Sequence, residues 1–497
     1  MDDTLPLLPV PLQFNGSLRV ETRPEHLTSE AGAVIQREII ERTGIVRWLA
    51  ERLDDPRDPD CITHPFEELL TTALILRGQG WRDQDDADVL RDDALLRLAV
   101  SKRRGISPLE RRPPPEDGQP LGHNPEVPDG LASQPTLSRL DRSLSRRGNR
   151  GVLRQGLLEL AARRLQASRA GHRLRYLTVD VDSLPIEVHG HQPGAKYNGH
   201  YHATVYHPLV ASVGETGDLL DVRLRPGNAS SGEGALEFIA PLLDRVERRL
   251  CQVASVRIDA GLPEDQLLSS LERRGTPYVA RIKNNPVLDR LAQPFLRRPP
   301  GRPPREPRTW FYERRYRARP WSRERRVVLV VLERPAPQER QEELFLHHFW
   351  LLTNWSREQF PAQALLDLYR QRGTAEGHQG EWKDVFDPAL SSSPRPKSTY
   401  GGDPPVRHYP PGDSFSINEV RLLLDALAYN ILHVGRVLLE AATGQGWSLR
   451  RFQERLIRVA ARVLVHQRRA VVIIAQVAAG LWRTLWARLA SFRFADP

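Results

Sequence analysis

The spacing of apolar residues divides the chain into helical and strand-rich stretches. Apolar positions recur at helical spacing in 33–49 and 66–76. From Tyr176 the period drops to two, which predicts a strand over 176–182. The following stretches predict strand, strand, helix, strand, helix and strand, at 202–213, 219–224, 234–250, 253–258, 263–274 and 277–282. This order is typical of a mixed sheet with helices on its faces.

Downstream patterns are less regular. Strand character returns at 325–334 and 344–353, and Pro361 opens a helix. A linker rich in Pro, Gly and Ser is predicted at 391–413, followed by helices over 416–442 and 449–490. Within the last region, the apolar run 470–482 is too short to span a bilayer and predicts a buried helix.

Composition narrows the functional classes. Lysine plus arginine, 72, exceeds aspartate plus glutamate, 62, giving a net charge of +10 that should attract polyanions. Two cysteines exclude a disulfide scaffold and a cysteine-built zinc site. No secretory signal is visible, so we expect a cytoplasmic protein that does not engage a membrane. No phosphate-binding loop is present, so we expect no nucleotide cofactor.

Three aspartates in the strand-rich region are candidate metal ligands. Asp180 and Asp182 share one face of a strand, because side chains alternate with a period of two. Asp259 follows a buried strand, where ligands gather in open α/β sheets. Carboxylates of this kind suit magnesium, which prefers hard oxygen ligands. The alternative is that Asp259 caps the next helix and Asp180 is a solvated acid.

The helix after Pro361 carries a second group of candidates. At about 100° per residue, Tyr369, Arg372, Glu376 and Lys383 fall within a sector of about 60°, provided that the helix continues that far. An acid between a phenol and two cations can serve a metal while its neighbours grip phosphates. The alternative is an ordinary surface pair between Arg372 and Glu376.

Three glycines interrupt the same helix. Gly373, Gly377 and Gly380 each cost up to about 1 kcal/mol in a helix interior. They allow a close backbone approach to a ligand, or they break the helix before Lys383. The nearby basic stretch 297–326 contains Trp310 and Trp321. These rings are candidates for stacking on an unpaired base, with buried packing as the alternative.

The sequence resembles bacterial DDE-type insertion-sequence transposases, whose Y-R-E-K signature matches Tyr369, Arg372, Glu376 and Lys383. Further stretches resemble the insertion-sequence 1380 family. They are QDDAD (84–88), LRDD (90–93), LASQPTLSR (131–139), DS (182–183), HGHQ (189–192), YNGH (197–200), LRPGN (224–228), RIDAG (257–261) and AYN (428–430). The resemblance spans roughly residues 60 to 490.

The resemblance implies an α/β fold with an RNase-H-like mixed-sheet catalytic core, a β-rich insertion, and helical regions at both ends. It implies a DDE triad of Asp182, Asp259 and Glu376, choosing Asp182 over Asp180 through the Asp182-Ser183 match. The expected segments are an end-binding region (1–150), the first part of the core (151–285), a basic β-rich insertion (286–350), core completion (351–390), a linker (391–413) and a C-terminal helical region (414–497).

The resemblance also implies a reaction and its partners. Two Mg²⁺ ions, with Mn²⁺ as a substitute, would serve cleavage at the element's ends and strand transfer into target DNA. Double-stranded DNA, as terminal inverted repeats and target, is the expected partner of a homodimer associated with the nucleoid. The expected DNA-contacting residues are Tyr369, Arg372, Lys383, Arg257, Trp310 and Trp321.

Two other functions remain open from the sequence. One is a catalytically inactive or domesticated DNA-binding protein on the same scaffold. The other is an RNase-H-like nuclease that cuts DNA without strand transfer.

Overall fold

The structure is a computed structural model that describes residues 13–15, 17–18, 25–110, 130–167, 174–298, 306–333, 346–392 and 411–494. Most of the linker predicted at 391–413 lies outside these residues, and 411–413 already belong to a helix. Two compact units are present. Unit 1 comprises Met1–Ser143 and Ile431–Phe492, and unit 2 comprises Leu144–Asn430 and Arg493–Pro497. The division into six segments stays a prediction.

The secondary structure of the described residues mixes helices and strands. The helices are α1 (Ala33–Thr43), α2 (Ile45–Ala50), α3 (Phe66–Gln79), α4 (Asp86–Val89), α5 (Ala94–Val100), α6 (Gln134–Leu144), α7 (Arg147–Ala167), α8 (Ala235–Arg249), α9 (Asp265–Arg274), α10 (Pro286–Ala292), α11 (Ala362–Arg370), α12 (Arg372–Phe386), α13 (Pro411–Thr443), α14 (Leu449–Phe452) and α15 (Ala479–Ser491). The strands are β1 (His26–Thr28), β2 (Tyr176–Ser183), β3 (Ile186–Glu187), β4 (Lys196–Asn198), β5 (Ala203–Tyr206), β6 (Leu209–Val213), β7 (Leu219–Arg223), β8 (Gln252–Ile258), β9 (Tyr278–Ile282), β10 (Arg308–Tyr316), β11 (Arg325–Glu333), β12 (His347–Thr353), β13 (Ala461–His466) and β14 (Arg469–Ile474).

Unit 2 is built on an eight-stranded mixed sheet with the order β10-β11-β12-β9-β8-β2-β6-β7. Strands β2, β8 and β9 run parallel to one another. The other neighbours pair antiparallel. The predicted α/β class, with a mixed sheet and helical flanks, is therefore confirmed. The sequence pattern does not predict β10, because its arginines interrupt the alternation of apolar and polar positions.

Alternation along β2 decides which residues face which side of the sheet. Leu177, Val179 and Val181 are buried in an apolar cluster together with residues of α8 and α9. The alternate residues, Asp180 and Asp182 among them, face the opposite side. On that side α12 packs against β2 and β6. Both predicted aspartates of β2 therefore point toward the helix that carries the predicted glutamate.

The C-terminal part of unit 1 corrects the helical prediction for 449–490. There β13 and β14 form a hairpin in which His466 pairs with Arg469, and β1 adds a third strand. The turn residue Gln467 has φ of 54°, the left-handed conformation that tight hairpin turns require. The β-branched run 471–474 favours a strand over a helix. The apolar stretch 470–482 is therefore a strand followed by a helix, and the single buried helix predicted there is wrong.

One helix of the described residues is long and apolar enough to cross a membrane by length and composition. It is Ser414–Thr443, within α13, with a mean hydropathy of 1.5. In the structure, 94% of its apolar window is buried inside the protein. Packing in a protein core accounts for this composition.

Candidate active site

The two aspartates of β2 have different surroundings. Asp180 is 1% exposed and pairs in the sheet register with Arg257 of β8. The Arg257 Nε lies 2.5 Å from Asp180 Oδ1, and Nη2 lies 2.6 Å from Oδ2. This bidentate pair commits Asp180 to the interior of the unit. The alternative of a solvated Asp180 is wrong, and of the two aspartates Asp182 is the one that contacts α12.

Arg257 corrects a prediction of DNA contact. Its side chain is 1% exposed, so a DNA backbone has no access to it. Besides its pair with Asp180, Nη1 donates to the Leu368 carbonyl oxygen at 3.1 Å and to Gln371 Oε1 at 3.4 Å. The central position of β8 in the sheet explains this burial. Arg257 therefore links β8 by hydrogen bonds to the junction between α11 and α12.

Asp259 follows β8 directly, as the sequence predicts. The next helix, α9, begins at Asp265, and its N-cap residue is Glu264, so Asp259 does not cap it. The Asp259 side chain is 38% exposed, and Oδ1 lies 3.4 Å from Arg372 Nη1. The capping alternative is therefore wrong, and the carboxylate is directed toward α12.

The predicted single helix after Pro361 is two helices in the structure. α11 ends at Arg370, Gln371 separates the two, and α12 then runs through Lys383 to Phe386. The common sector therefore holds for Arg372, Glu376 and Lys383, while Tyr369 belongs to α11. The glycines do not break α12 before Lys383, so that alternative is wrong.

Arg372 joins the three predicted acids. Its Nη2 donates to Asp182 Oδ2 at 2.7 Å, and its Nη1 contacts Glu376 Oε1 as well as Asp259. The residue is only 6% exposed. The pair between Arg372 and Glu376 is thus not an ordinary surface pair. Carboxylates from β2, from the end of β8 and from α12 meet around one buried guanidinium.

Burial and charge shift the proton affinities in this cluster. Burial raises the pKa of Asp182 to about 6, and the charges of Asp259 and Glu376 add to the rise while Arg372 opposes it. Burial acts to lower the pKa of Arg372, but the three carboxylates outweigh burial and raise it. The arginine therefore stays charged. Its single positive charge does not balance the negative charge that the three acids can carry.

The donor chemistry of the cluster fits a divalent cation. Three carboxylates supply hard oxygen ligands, and three negative charges face one positive charge. Among the described residues, no three His, Cys, Asp or Glu side chains are grouped closely enough to hold an ion as they stand. Arg372 lies where the carboxylates meet, so a cation bound by all three requires its side chain to move.

The remaining predicted residues differ in their placement. Tyr369 is half-buried with its ring 6.5 Å from that of Phe349, and burial raises its pKa, with Asp259 and Glu376 adding to the rise. Its phenol therefore interacts electrostatically with the acid cluster. Lys383 is half-buried on α12, two helical turns beyond Glu376.

The two tryptophans predicted to stack on an unpaired base differ in burial, and the prediction stays open for Trp310. Trp321 is 5% exposed, lies in the core and contacts the Tyr316 ring edge-on at 5.7 Å. Trp310 is half-buried against the same cluster, with Nε1 3.5 Å from the Phe295 carbonyl oxygen. The prediction is wrong for Trp321, because a ring buried in the core cannot stack on a base.

Sequence reasoning missed Tyr201. Burial raises the pKa of this tyrosine, and the negative charges of Asp182 and Asp259 raise it further, which places the phenol within electrostatic reach of the cluster. Its ring lies 5.8 Å from that of His207, which is 4% exposed. The signal was its position directly after the YNGH motif at 197–200.

Comparison with known proteins identifies the class. Residues 10–395 match the family described as Transposase DDE domain group 1, and the chain belongs to this family. It is therefore a transposase of the DDE type. No curated protein matches the sequence. Among solved structures, the chain is similar to piggyBac transposase in a synaptic complex with hairpin DNA, at 9% identity and a TM-score of 0.41, over 93% of this chain and 85% of that one.

Proposed function

We propose that this protein cuts DNA at the ends of its own insertion sequence and joins them to target DNA, using Asp182, Asp259 and Glu376 as ligands of Mg²⁺. The observation that supports this most strongly is the meeting of these three carboxylates around Arg372. Similarity to the insertion-sequence 1380 family and the Y-R-E-K spacing support the same reaction. Mn²⁺ would substitute for Mg²⁺, since both take oxygen ligands.

The metal ions, when bound, would polarise the scissile phosphate and activate the attacking water or 3′-hydroxyl. The role of the protein is then to bring acids from three elements to one place. Asp182 is held by the sheet, where its Oδ1 also accepts from the Ser183 backbone N–H at 2.8 Å. Glu376 is more exposed and can approach DNA from the helix.

Arg372 has a separate role in this proposal. In the free protein it neutralises part of the charge on the three acids and holds them together. When the acids take up a divalent ion, the guanidinium turns to a phosphate beside the scissile bond, where a bidentate arrangement suits it. Tyr369 from α11 and Lys383 from α12 would contact neighbouring phosphates. The acids would thus exchange Arg372 for the ion, and Arg372 would exchange the acids for a phosphate of the DNA.

The expected partners follow from this reaction. The protein would bind terminal inverted repeats and target DNA as double strands, act as a homodimer that holds two ends, and need no nucleotide cofactor. We propose that it works at the nucleoid in the cytoplasm. The net charge of +10 supports contact with a polyanion.

The test uses labelled DNA from the ends of the element that carries the gene, with Mg²⁺ and a target plasmid. The wild-type protein should give cut ends and joined products. Asp182→Asn and Glu376→Gln should bind this DNA but leave it uncut. Asp367→Asn is the matched control, because Asp367 is an exposed acid on α11 that bonds to Gln363 instead of to the cluster. EDTA should abolish cutting by the wild type.

Other outcomes would favour the other functions. Binding without cutting by the wild-type protein would contradict the proposal and favour an inactive DNA-binding protein. Cut ends without joined products would favour a nuclease that lacks strand transfer.

A further inference from the structure

A cavity of about 480 Å³ is lined by residues of unit 1, whereas the acid cluster belongs to unit 2. Its lining comes from the end of α13, the α14 segment and α15. The lining residues are Thr443, Gln445, Trp447, Arg451, Arg455 and Leu481. Two of these six are arginines, and none is an acid. The cavity is therefore suited to an anion.

Trp447, one of the lining residues, is held in place by hydrogen bonds from its side chain and its backbone. The residue is 5% exposed, and its Nε1 donates to Thr443 Oγ1 at 3.2 Å. Its backbone N–H donates to Glu440 Oε1 at 2.9 Å, which engages the nearby carboxylate. The Arg451 guanidinium lies over the ring, with Cζ 4.2 Å from the centroid. A guanidinium that lies over an aromatic face can still donate its N–H groups to an anion.

The two arginines are a like-charge pair without an ion-pair partner among the described residues. Arg451 and Arg455 are exposed, four residues apart, and neither makes an ion pair with any described residue. Like charges at this spacing destabilise a helix by a few tenths of a kcal/mol. Between them the backbone changes from α14 to a π-helical turn, Gln453–Ile457. Such turns are rare and frequently lie at functional sites.

We propose that this cavity is a second DNA-binding site, in which Arg451 and Arg455 bind phosphates of the double-stranded DNA backbone. The site recognises phosphate and not base sequence, because both arginines act as charged donors and Trp447 is covered by Arg451. It rests on the proposed function only in requiring that the protein binds DNA. A site formed by residues other than the acids and their neighbours adds affinity without taking part in cutting.

The experiment measures how the affinity of the full-length protein for end-repeat DNA depends on salt. Each phosphate contact contributes about 0.9 to the slope of log K against log salt concentration. Arg451→Gln and Arg455→Gln should each reduce the slope by about this amount, and Arg451→Lys with Arg455→Lys should restore most of it. The matched control is Arg450→Gln, since Arg450 is exposed on the same short helix but does not line the cavity. Melting curves confirm that each variant is folded.

Equal reductions for Arg450→Gln and the two cavity variants would overturn the proposal, because the effect would then reflect net charge alone. A second arm titrates the proteins with inorganic phosphate. Saturable phosphate binding that the Gln variants lose, with an unchanged DNA slope, would assign the site to a free phosphate and overturn the DNA assignment. Normal cutting with unchanged slopes would overturn this site and leave the proposed function intact. Changed slopes in a protein that cuts no DNA would do the reverse.

Discussion

Arg372 Nη2 lies 2.7 Å from Asp182 Oδ2, although 190 positions separate the two residues in the sequence. The contact links the end of a buried strand to the first turn of α12. Since the same guanidinium also reaches Asp259 and Glu376, one buried cation accounts for the grouping of all three acids in the free protein. A divalent ion must therefore compete with a charge that is already in place.

This competition predicts that removing the arginine strengthens metal binding. In the absence of DNA, Arg372→Gln should bind Mn²⁺ on the order of tenfold more tightly, which corresponds to about 1.4 kcal/mol. Electron paramagnetic resonance of free Mn²⁺ during a titration measures this directly. Arg370→Gln, at an exposed position on α11, should leave the affinity unchanged. Weaker binding by Arg372→Gln would show that the arginine organises the ligands instead of competing with the ion. No Mn²⁺ binding by any form would contradict the metal site itself.

The raised pKa of Asp182 predicts a pH-dependent stability. The pKa is about 6 in the folded protein against 3.8 ordinarily, so the folded state holds this proton more tightly. Its contribution to the free energy of unfolding is fully present below about pH 4 and is lost as the pH rises through about 6. In EDTA at pH 8, Asp182→Asn should therefore be more stable than the wild type by up to about 3 kcal/mol, a figure that already includes the opposing charge of Arg372.

The measurement is the melting temperature of both proteins between pH 4 and pH 8. Their difference should shrink as the pH falls through 6, while Asp367→Asn should follow the wild type throughout. A variant that is less stable than the wild type at pH 8 would contradict the raised pKa of Asp182, because ionised Asp182 would then not destabilise the folded protein.

The sequence predicts the sheet better than it predicts the site. Period-two alternation locates β2, and the resemblance selects Asp182, because each depends on local residues alone. The role of Arg372 depends on the separation of α11 from α12 at Gln371 and on packing against β2, which no local pattern encodes. Arg257 was misassigned for a related reason. The resemblance that implies DNA contact carries no strand register, whereas register with Asp180 places Arg257 inside the sheet.

Breaking the buried pair of Asp180 and Arg257 should lower the stability of the protein without removing a phosphate contact. Arg257→Met leaves the Asp180 carboxylate buried without its partner, which should destabilise the protein by about 3–5 kcal/mol. The double variant Asp180→Leu with Arg257→Met should recover most of this loss, because apolar residues can replace a buried ion pair. Urea denaturation measures both. The salt dependence of DNA binding should stay at the wild-type slope in the double variant; a slope reduced by about 0.9 would restore Arg257 as a phosphate contact.

Replacing a glycine of α12 should raise the stability of the protein but weaken its binding of DNA. A Cβ added at Gly373, Gly377 or Gly380 would meet nothing within 4 Å, so these positions have no structural need for glycine. Gly377→Ala should therefore raise the free energy of unfolding by up to about 1 kcal/mol, through helix propensity alone. Gly214→Ala is the contrasting control, because its Cβ would lie 2.4 Å from Arg257 Nη2 and 3.0 Å from Asp180 Oδ2, and it should destabilise.

If DNA approaches the backbone of α12 beside Glu376, the stabilised Gly377→Ala protein should bind and cut end-repeat DNA less well than the wild type. Urea denaturation gives the first quantity and cleavage of labelled ends gives the second. Lower stability of Gly377→Ala would show that the open space is filled in solution. Higher stability with unchanged cutting would show that DNA does not approach this face, and the glycines would then have no role in holding the substrate.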